Sequence, residues 1–269
     1  MVIKNCIIDG NRRNNMSPVD CNGLIIEDNT ISNSGINDGT LPKAGIDLEC
    51  WRDRTAEGVL LEYGRIENVV IRNNSFVNSA NGDLIFYTCN NVEVYGNDFT
   101  GGTSNVASFN IDIHDNTFTG NGTKTAVKCL NNVVVVTGEE LNHNWTVSNN
   151  TITGYSIAIS IGGNNQKVHT NTITNSVTGI QLLDLNIGTF HDNVITSSLA
   201  NSYGHRNFTT GSTGIDVSVY NEVVNTVEYG MLIKTLNSGV SSNTGLIFDN
   251  CSFTSGRAVD MRDSDNITI

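Results

Sequence analysis

The 269-residue sequence predicts an all-β solenoid, in which short parallel strands stack coil upon coil. Three observations predict it. An Asn-x-Ile/Phe tripeptide recurs, apolar and polar residues alternate along short segments, and the composition has about 40 Asn and 26 Gly but only 2 Pro. Alternation with period two and many β-branched residues are typical of half-buried strands. No segment carries an apolar helical stripe longer than a few residues.

The tripeptide sets the length of one coil. Its copies begin at seven asparagines, which are Asn29, Asn74, Asn97, Asn116, Asn150, Asn171 and Asn193. The shorter spacings, about 19 to 25 residues, match one coil of a β-solenoid. Degenerate copies lie at Asn5, Asn225 and Asn250. We therefore expect about ten coils, in which each repeated Asn turns the chain.

Each coil is expected to hold two strands. One alternating strand precedes the Asn, as in residues 69–72 and 110–114. A loop rich in Gly, Ser and Asn follows, and then a second strand, as in residues 45–49 and 179–182. The side chains expected inside the solenoid are those of Ile46, Leu48, Ile71, Phe76, Phe99, Ile113, Phe118, Ile152, Ile173 and Ile180.

Longer gaps between copies of the tripeptide indicate insertions at residues 34–44, 51–67, 138–144 and 197–213. A solenoid does not need such loops, so they are the natural places for binding. Both ends of the sequence lie inside strand patterns. We therefore expect residues 1–269 to be a single domain and a window of a longer chain, or else to have its ends covered by partner chains.

Composition excludes several classes. A net charge of −12 with only 15 basic residues argues against a nucleic-acid partner. No run of 18 apolar residues exists, so we expect no membrane insertion, and the N-terminus shows no signal-peptide pattern. The six cysteines form no Cys-x-x-Cys motif and are expected to be reduced core or turn residues.

The strand at residues 45–49 carries the candidate catalytic pair. Alternation places Asp47 and Glu49 on its outer side, with Ile46, Leu48 and Cys50 inside. Carboxylates two residues apart on one strand lie about 6.5–7 Å apart, close to the ~6.5–9.5 Å of an inverting glycosidase pair. The competing interpretation is an ordinary solvated strand face.

Candidate substrate-binding residues surround this pair. Eight of the 15 basic residues precede position 73, and a basic cluster on an acidic body suits an anionic sugar. Tyr and Trp rings offer stacking faces for sugars. As alternatives, Tyr87 is an ordinary surface aromatic, and Arg12 and Arg13 are solvated. The candidates are Arg12, Arg13, Lys43, Trp51, Arg52, Asp53, Arg54, Tyr87 and Lys128.

Two further sets of residues have possible roles. An outward column lies two residues before each turn Asn, and we interpret it as a stacked surface or a subunit contact. Its histidines are too far apart, or too few, to hold a metal ion. Tyr203, His205 and Arg206 lie in the last insertion, about four coils or near 20 Å from Asp47. The column consists of Glu27, Arg72, Tyr95, His114, Ser148, His169 and His191.

The repeat resembles the right-handed parallel β-helix of the pectate-lyase-like superfamily over essentially the whole chain. The opening at residues 8–12, with Asn29-Thr30-Ile31 and residues 44–49, resembles β-helix domains of bacteriophage tailspikes and related secreted polysaccharide-active proteins. The resemblance implies a ladder in which each repeated Asn side chain bonds the next coil. It also implies polysaccharide bound along an outer strand face, a homotrimer, and a location outside the cell or on a virion. The sequence lacks the calcium-binding Asp cluster and catalytic Arg of pectate lyases, and the Asn-Thr-Asp motif of polygalacturonases.

Two functions follow as alternatives. The first is a hydrolase or lyase of acidic capsular or exopolysaccharide, without cofactor or metal, in which Asp47 and Glu49 act as acid and base. For β-elimination, Lys128 or Tyr87 would be the base; epimerisation is also open, because a fold does not fix a reaction. The second is a non-catalytic glycan-binding or structural module of a fibre or adhesin.

Overall fold

The computed structural model describes residues 1–37, 39–50, 52–54, 60–62, 66–106, 108–129, 143–185, 187–209, 216–235, 246–262 and 267–268. Within these ranges all regular elements are β-strands, which confirms the predicted fold class. In chain order the strands are β1 Val2–Lys4, β2 Ile7–Asp9, β3 Ile25–Glu27, β4 Thr30–Ser32, β5 Ala44–Glu49, β6 Arg52–Arg54, β7 Leu60–Glu62, β8 Ile66–Arg72, β9 Ser75–Val77, β10 Gly82–Tyr87, β11 Cys89–Tyr95, β12 Asp98–Phe99, β13 Thr103–Val106, β14 Phe109–His114, β15 Thr117–Thr119, β16 Thr125–Lys128, β17 Trp145–Ser148, β18 Thr151–Thr153, β19 Ile157–Gly163, β20 Gln166–His169, β21 Thr172–Thr174, β22 Thr178–Leu185, β23 Ile187–His191, β24 Val194–Thr196, β25 Tyr203–Thr209, β26 Asp216–Tyr220, β27 Val223–Asn225, β28 Tyr229–Thr235, β29 Leu246–Asp249, β30 Ser252–Thr254, β31 Arg257–Arg262 and β32 Ile267–Thr268.

The strands stack into three parallel faces. Face 1 has the order β1-β3-β8-β11-β14-β17-β20-β23-β26-β29-β32. Face 2 has the order β2-β4-β9-β12-β15-β18-β21-β24-β27-β30. Face 3 is divided into β5-β10-β13 and β16-β19-β22-β25-β28-β31. Nine coils, from β3 to β31, contribute a strand to each face. The two strands expected from the sequence are those of faces 1 and 3, and the face 2 strand that follows the repeated Asn was not predicted.

The core fills the space between the faces with aligned apolar side chains. All ten side chains expected inside are at most 1% exposed. On face 2 the rings of Phe76, Phe99 and Phe118 stack with centroids 4.7 Å apart at each step. Such alignment arises because the parallel register puts equivalent residues of successive coils opposite each other.

The repeated asparagines form a buried ladder at the corner between faces 1 and 2, as predicted. From Asn74 to Asn193, each Oδ1 accepts hydrogen bonds from the backbone N–H and the Nδ2 of the asparagine one coil earlier, as Asn97 does from Asn74 at 2.9 and 3.0 Å. The degenerate rungs were wrongly placed at Asn5, Asn225 and Asn250. The strand register puts Cys6, Glu222 and Cys251 on the ladder instead, and Asn5 and Asn250 precede it with positive φ.

The corner between faces 2 and 3 is built differently. The registers of face 3 align mostly small residues there, because a side chain would strike face 2. A Cβ on Gly179, for example, would lie 2.7 Å from Ile195 Cγ2. The exception is Asp83, which is fully buried. The members are Gly45, Asp83 and Gly102, followed by Ala126, Ala158, Gly179, Gly204, Gly230 and Ala258.

The structure agrees with some of the predicted insertions and not with others. Within 51–67, β6 and β7 form an antiparallel hairpin. Within 197–213, Tyr203–Thr209 is an ordinary face 3 strand and not an insertion, because it pairs with β22 and β28. Most of 138–144 lies outside the described residues. All six cysteines are unpaired, as expected, and Cys50, Cys89 and Cys129 are buried.

Candidate functional site

The predicted acid–base pair lies on β5 in face 3. Ile46, Leu48 and Cys50 point inward as expected, and all three are buried. Glu49 is partly exposed, but Asp47 is only 3% exposed. The prediction that both carboxylates point to solvent is therefore wrong for Asp47.

A neighbouring segment explains why Asp47 is covered. Asn14 donates a hydrogen bond from Nδ2 to Asp47 Oδ2 at 3.0 Å, and it accepts one at Oδ1 from the Ala44 N–H at 3.0 Å. Met16 then pairs with Ile46 in parallel register. Strand alternation gave the correct side of β5 for Asp47, but it could not show that the preceding coil supplies this cover. Asp47 thus adds a side-chain contact to the backbone hydrogen bonds that join this segment to β5.

Glu49 has a different environment. It is the register partner of Tyr87 on β10, so their Cα atoms lie about 4.8 Å apart. Tyr87 is also partly exposed. The hairpin of β6 and β7 follows directly after β5. Glu49 and Tyr87 are thus adjacent outward side chains, as the sequence predicted.

The structure brings two of the predicted arginines to the 34–44 insertion. Arg12 and Arg13 are exposed, and Arg13 donates from Nε to the Leu41 carbonyl at 3.0 Å. The backbone joins the same segments, since the Gly35 N–H donates to the Asn11 carbonyl at 2.8 Å. Lys43 is partly exposed at the end of this insertion.

The remaining predicted residues of the second insertion cannot be placed as fully. Arg52, Asp53 and Arg54 form β6, and their side chains lie outside the described part of the structure. Trp51 also lies outside the described residues. The backbone pairing of β6 with Leu60–Glu62 shows that these residues form a hairpin, which begins three residues after the end of β5.

Lys128 borders a cavity in face 3 that the sequence did not reveal. The cavity has a volume of about 280 Å³ and lies where the two parts of face 3 meet. Lys124 also lines it. Its remaining lining residues are small or polar, namely Asn81, Gly82, Gly101, Gly102, Thr103, Ser104 and Thr125.

A stack of arginine and tyrosine side chains lies farther along face 3, and we call it the Arg–Tyr stack. The rings of Tyr203 and Tyr229 stack with centroids 5.3 Å apart. The guanidinium carbon of Arg206 lies 4.6 Å from the Tyr203 centroid, and that of Arg257 lies 5.2 Å from the Tyr229 centroid. Arg257 Nη1 also donates to the Tyr229 hydroxyl at 2.7 Å.

Sequence reasoning found only half of the Arg–Tyr stack. Tyr203 and Arg206 were named, but Tyr229 and Arg257 were missed. The signal was present as a repeated Tyr-Gly pair, at Tyr203-Gly204 and Tyr229-Gly230, one coil apart. The predicted distance of four coils was wrong: β25 lies six strand positions from β5, which is about 29 Å along the rod.

His205 does not belong to the outer surface. It is 1% exposed, and its Nε2 lies 3.3 Å from Oε2 of the fully buried Glu222. Glu222 Oε1 accepts a hydrogen bond from Asn193 Nδ2 at 2.6 Å. His205 therefore joins the end of the asparagine ladder, because alternation along β25 turns it inward while Arg206 turns outward.

The strand registers of face 1 align the residues of the predicted outward column, although Ser148 within it is buried between His114 and His169. Arg72 pairs with Glu27 at 2.5 Å, and the Tyr95 and His114 rings stack at 5.1 Å. Within the described ranges, no group of three or more His, Cys, Asp or Glu is arranged to hold a metal ion.

The ionisation of this column depends on local partners. Although burial opposes it, hydrogen bonds to Asp115 and Glu93 raise the pKa of His114. Burial and the neighbouring His191 lower the pKa of His169, whose ring stacks on that of His191 at 4.7 Å. The side chains of face 1 thus contact mainly each other, in contrast to the cavity of face 3.

Comparison with known proteins identifies the fold. A family model described as "Right handed beta helix region" matches residues 1–99. An uncharacterized protein of Bacillus subtilis (strain 168), YclG, is 28% identical over 191 residues, which are 65% of this chain and 29% of that protein. The chain therefore spans less than a third of this relative's length.

Three solved structures are similar over nearly the whole chain. PfbA, a surface adhesin of Streptococcus pneumoniae, has a TM-score of 0.61 at 15% identity over 98% of this chain and 74% of its own. A hyperthermoactive exopolygalacturonase from Thermotoga maritima has a TM-score of 0.52 at 12% identity, covering 94% and 71%. The A-module of the Azotobacter vinelandii mannuronan C-5 epimerase AlgE6 has a TM-score of 0.52 at 16% identity, covering 99% and 78%.

These findings, together with the parallel faces, show a right-handed parallel β-helix of about ten coils. At such identities the likeness establishes the fold alone. The fold is shared by polysaccharide-acting enzymes and by an adhesin. The described residues contain no helix that is long and apolar enough to cross a membrane.

Proposed function

We propose that this protein acts outside the cell and binds acidic polysaccharides along the outer surface of face 3. The observation that carries the proposal is the Arg–Tyr stack, which fixes two guanidinium groups on a chain of net charge −12. Basic groups concentrated on one face of an acidic body attract an anionic ligand.

The chemistry of the Arg–Tyr stack fits carboxylated sugars. A guanidinium group can hold a carboxylate with two parallel hydrogen bonds, and stacking on a ring reduces the freedom lost on binding. The side chain of Arg257 is 60% exposed, although it also pairs with Asp260 at 3.8 Å. Because a guanidinium group has five N–H donors, Arg257 can bind an incoming carboxylate without giving up its contact with Asp260.

The similar proteins give further support. Two of them are named for polygalacturonan and mannuronan, and the third is a surface adhesin. A location on the cell surface or outside the cell suits both kinds of protein. The β-helix also presents its outer side chains at a regular spacing of about 4.8 Å, which suits a linear polymer.

Binding assays with matched polymers test this proposal. We expect polygalacturonate, alginate or another acidic polysaccharide to bind, and neutral dextran not to bind, by affinity electrophoresis. Because screening weakens exposed charge pairs, binding should fall as salt rises. Arg257→Gln should weaken binding by roughly tenfold, since a charge-assisted hydrogen bond is lost.

The control is Lys167→Gln, which removes one exposed positive charge from face 1. It should bind like the unmodified protein. Equal affinity of all three proteins for the acidic polymers, or no binding to any acidic polymer in a broad panel, would refute the proposed function.

A second candidate function is cleavage of the bound polysaccharide. The observation in its favour is the neighbouring pair Glu49 and Tyr87, both partly exposed on face 3 in adjacent coils. Glu49 would act as acid or base, and Tyr87 would act as base in β-elimination. Asp47 would keep its proposed role only if Asn14 moved away from its carboxylate.

Product analysis separates the two candidates. New reducing ends together with absorbance near 235 nm indicate a lyase, and reducing ends alone indicate a hydrolase. For an enzyme, Glu49→Gln should lower turnover by roughly 10² or more while leaving polymer binding in place. Binding without products across the panel supports a non-catalytic module.

A further inference from the structure

The two parts of face 3 meet at a break in the sheet. β13 pairs with β10, and β16 pairs with β19, but no ladder joins β13 to β16 among the described strands. The backbones still approach closely at Gly102, where an added Cβ would lie 2.7 Å from the Ala126 carbonyl oxygen. The cavity of about 280 Å³ lies at this break, and we call it the seam cavity.

The seam cavity is lined by two charged residues, Lys124 and Lys128. Lys128 is partly exposed, and its ammonium group has no hydrogen-bond or ion-pair partner among the described residues. Lys124 donates one N–H to the Ser79 carbonyl at 2.8 Å, which leaves two further donors on Nζ. Ser104 and Thr125 add hydroxyl groups to the lining.

One acid lies behind the cavity wall. A Cβ added to Gly101, which lines the cavity, would lie 2.8 Å from Asp83 Oδ1. The other oxygen, Asp83 Oδ2, accepts backbone N–H groups of Thr100 at 2.9 Å and of Gly101 at 2.5 Å. Burial raises the pKa of Asp83, although these backbone donors and the nearby positive charge of Lys124 act in the opposite direction.

The size of the cavity limits what can enter it. Sites for drug-sized ligands have volumes of about 300–1,000 Å³. The seam cavity is slightly smaller, which suits one sugar ring or one small anion rather than a folded oligosaccharide. Polar lining groups suit hydroxyls, and the two ammonium groups suit a negative charge at one edge.

We propose that the seam cavity is a subsite for a single uronate residue, whose carboxylate pairs with the ammonium groups of Lys128 and Lys124. This inference rests on the proposed function and names the group by which an acidic polymer would be anchored. Inorganic phosphate is also an anion that the same ammonium groups could bind, so the test must distinguish a uronate from free phosphate.

Lysine-resolved NMR provides the test. The chain has six lysines, and reductive methylation with ¹³C keeps their charge while giving each a signal. The probes are trimers of galacturonate, mannuronate and glucuronate, neutral galactose trimers, and inorganic phosphate. We expect the signals of Lys124 and Lys128 to shift with at least one uronate trimer and not with the neutral sugar, while that of Lys167 stays fixed.

Substitutions then link the shifts to affinity. Lys128→Gln should weaken uronate-trimer binding by roughly tenfold, since one charge-assisted contact is lost. Lys128→Arg should keep most of the affinity, and Lys167→Gln should keep all of it. Retention of the strand-type circular dichroism spectrum in each variant shows that it has folded.

The outcomes distinguish this inference from the proposed function. If acidic polymers bind but no lysine signal at the cavity shifts and Lys128→Gln binds normally, the seam-cavity inference is wrong and the proposed function stands. If uronate trimers shift both lysines but no polymer binds, the subsite is supported and the proposed function fails. If phosphate alone shifts them, the cavity is a simple anion site and the uronate assignment is wrong.

Discussion

Two corners of the β-helix turn the same chain by opposite means. At the corner between faces 1 and 2, buried asparagines satisfy the turning backbone with repeated amide hydrogen bonds. At the corner between faces 2 and 3, the side chain is reduced to a hydrogen atom or a methyl group, because face 2 leaves no room. The first corner depends on a specific polar side chain, and the second depends on side chains no larger than a methyl group.

The two corners therefore tolerate change differently. The asparagine ladder is continuous from Asn29 to Asn193, and where it ends Glu222 still supplies an acceptor for Asn193 at 2.6 Å. The small-residue corner holds a larger, charged side chain at Asp83, because the loop between β12 and β13 in the next coil provides backbone donors for its carboxylate. Asp83 lies next to the break in face 3. This suggests that the second corner is where the repeat can be modified to build a site.

Removing one rung of the ladder should have the largest effect. Asn116→Ala deletes a side chain that accepts from the Asn97 N–H at 3.0 Å and donates to the carbonyls of Val94 at 2.9 Å and His114 at 2.8 Å. Each buried group left without a partner costs about 1–3 kcal/mol. We expect the free energy of unfolding to fall by at least about 3 kcal/mol, measured by chemical denaturation.

An exposed asparagine on face 2 provides the control for Asn116→Ala. Asn225→Ala alters a side chain at the end of β27 that faces solvent, so its effect should stay within about 0.5 kcal/mol. Similar losses for both variants would mean that the ladder contributes no more than any other asparagine, and the contrast between the corners would fail.

Adding one methyl group to the other corner should have a smaller but clear effect. In Gly204→Ala the new Cβ would meet Val224 Cγ1 and the Gly230 carbonyl oxygen, so the strands must move apart. Overpacking of this kind costs about 1–3 kcal/mol. Gly82→Ala is the matched control, because the nearest atom to its Cβ would be the Gly102 oxygen at 3.5 Å, an ordinary van der Waals contact. Equal stability of the two variants would show that the corner can widen freely.

The first corner could be predicted from the sequence, and the second could not. A ladder needs the same side chain at every rung, so the tripeptides beginning at Asn74 and Asn97 repeat visibly along the chain. Small residues such as Gly45 and Ala126 occupy the second corner, but they leave no distinctive pattern, because Gly also occurs in turns. For this reason the face 3 strand Tyr203–Thr209 was mistaken for an insertion.

The candidate site could also be predicted only in part from the sequence. Alternation correctly placed Glu49 and Tyr87 outward, since it depends only on strand geometry. It failed for Asp47, because the cover comes from Asn14 in another coil, and it could not reveal the cavity beside Lys128. Contacts between coils depend on register across loops of unequal length. The homotrimer and the phage-tail location stay predictions.

The smallest expected effect concerns Asp83, which occupies a position of the second corner where the other coils have Gly or Ala. Burial raises the pKa of Asp83 above its ordinary value of 3.8, so the carboxyl holds its proton more tightly in the folded chain. The stabilisation from this protonated form is complete below about pH 3.8 and is lost as pH rises through the higher folded pKa. Asp83→Asn resembles the protonated carboxyl and does not titrate, so it should gain stability relative to the unmodified protein as pH rises.

Denaturation curves at intervals from about pH 4 to about pH 8 measure this difference. Asp98→Asn removes an exposed carboxylate and corrects for the change in net charge. Oδ1 of Asp83 has no hydrogen-bond partner in the described structure, so an amide NH₂ at that position breaks no existing bond. If Asp83→Asn instead loses stability relative to Asp98→Asn as pH rises, the backbone donors of Thr100 and Gly101 stabilise the charged carboxylate. Asp83 would then be a capping residue of the loop, and its negative charge would oppose a uronate in the seam cavity.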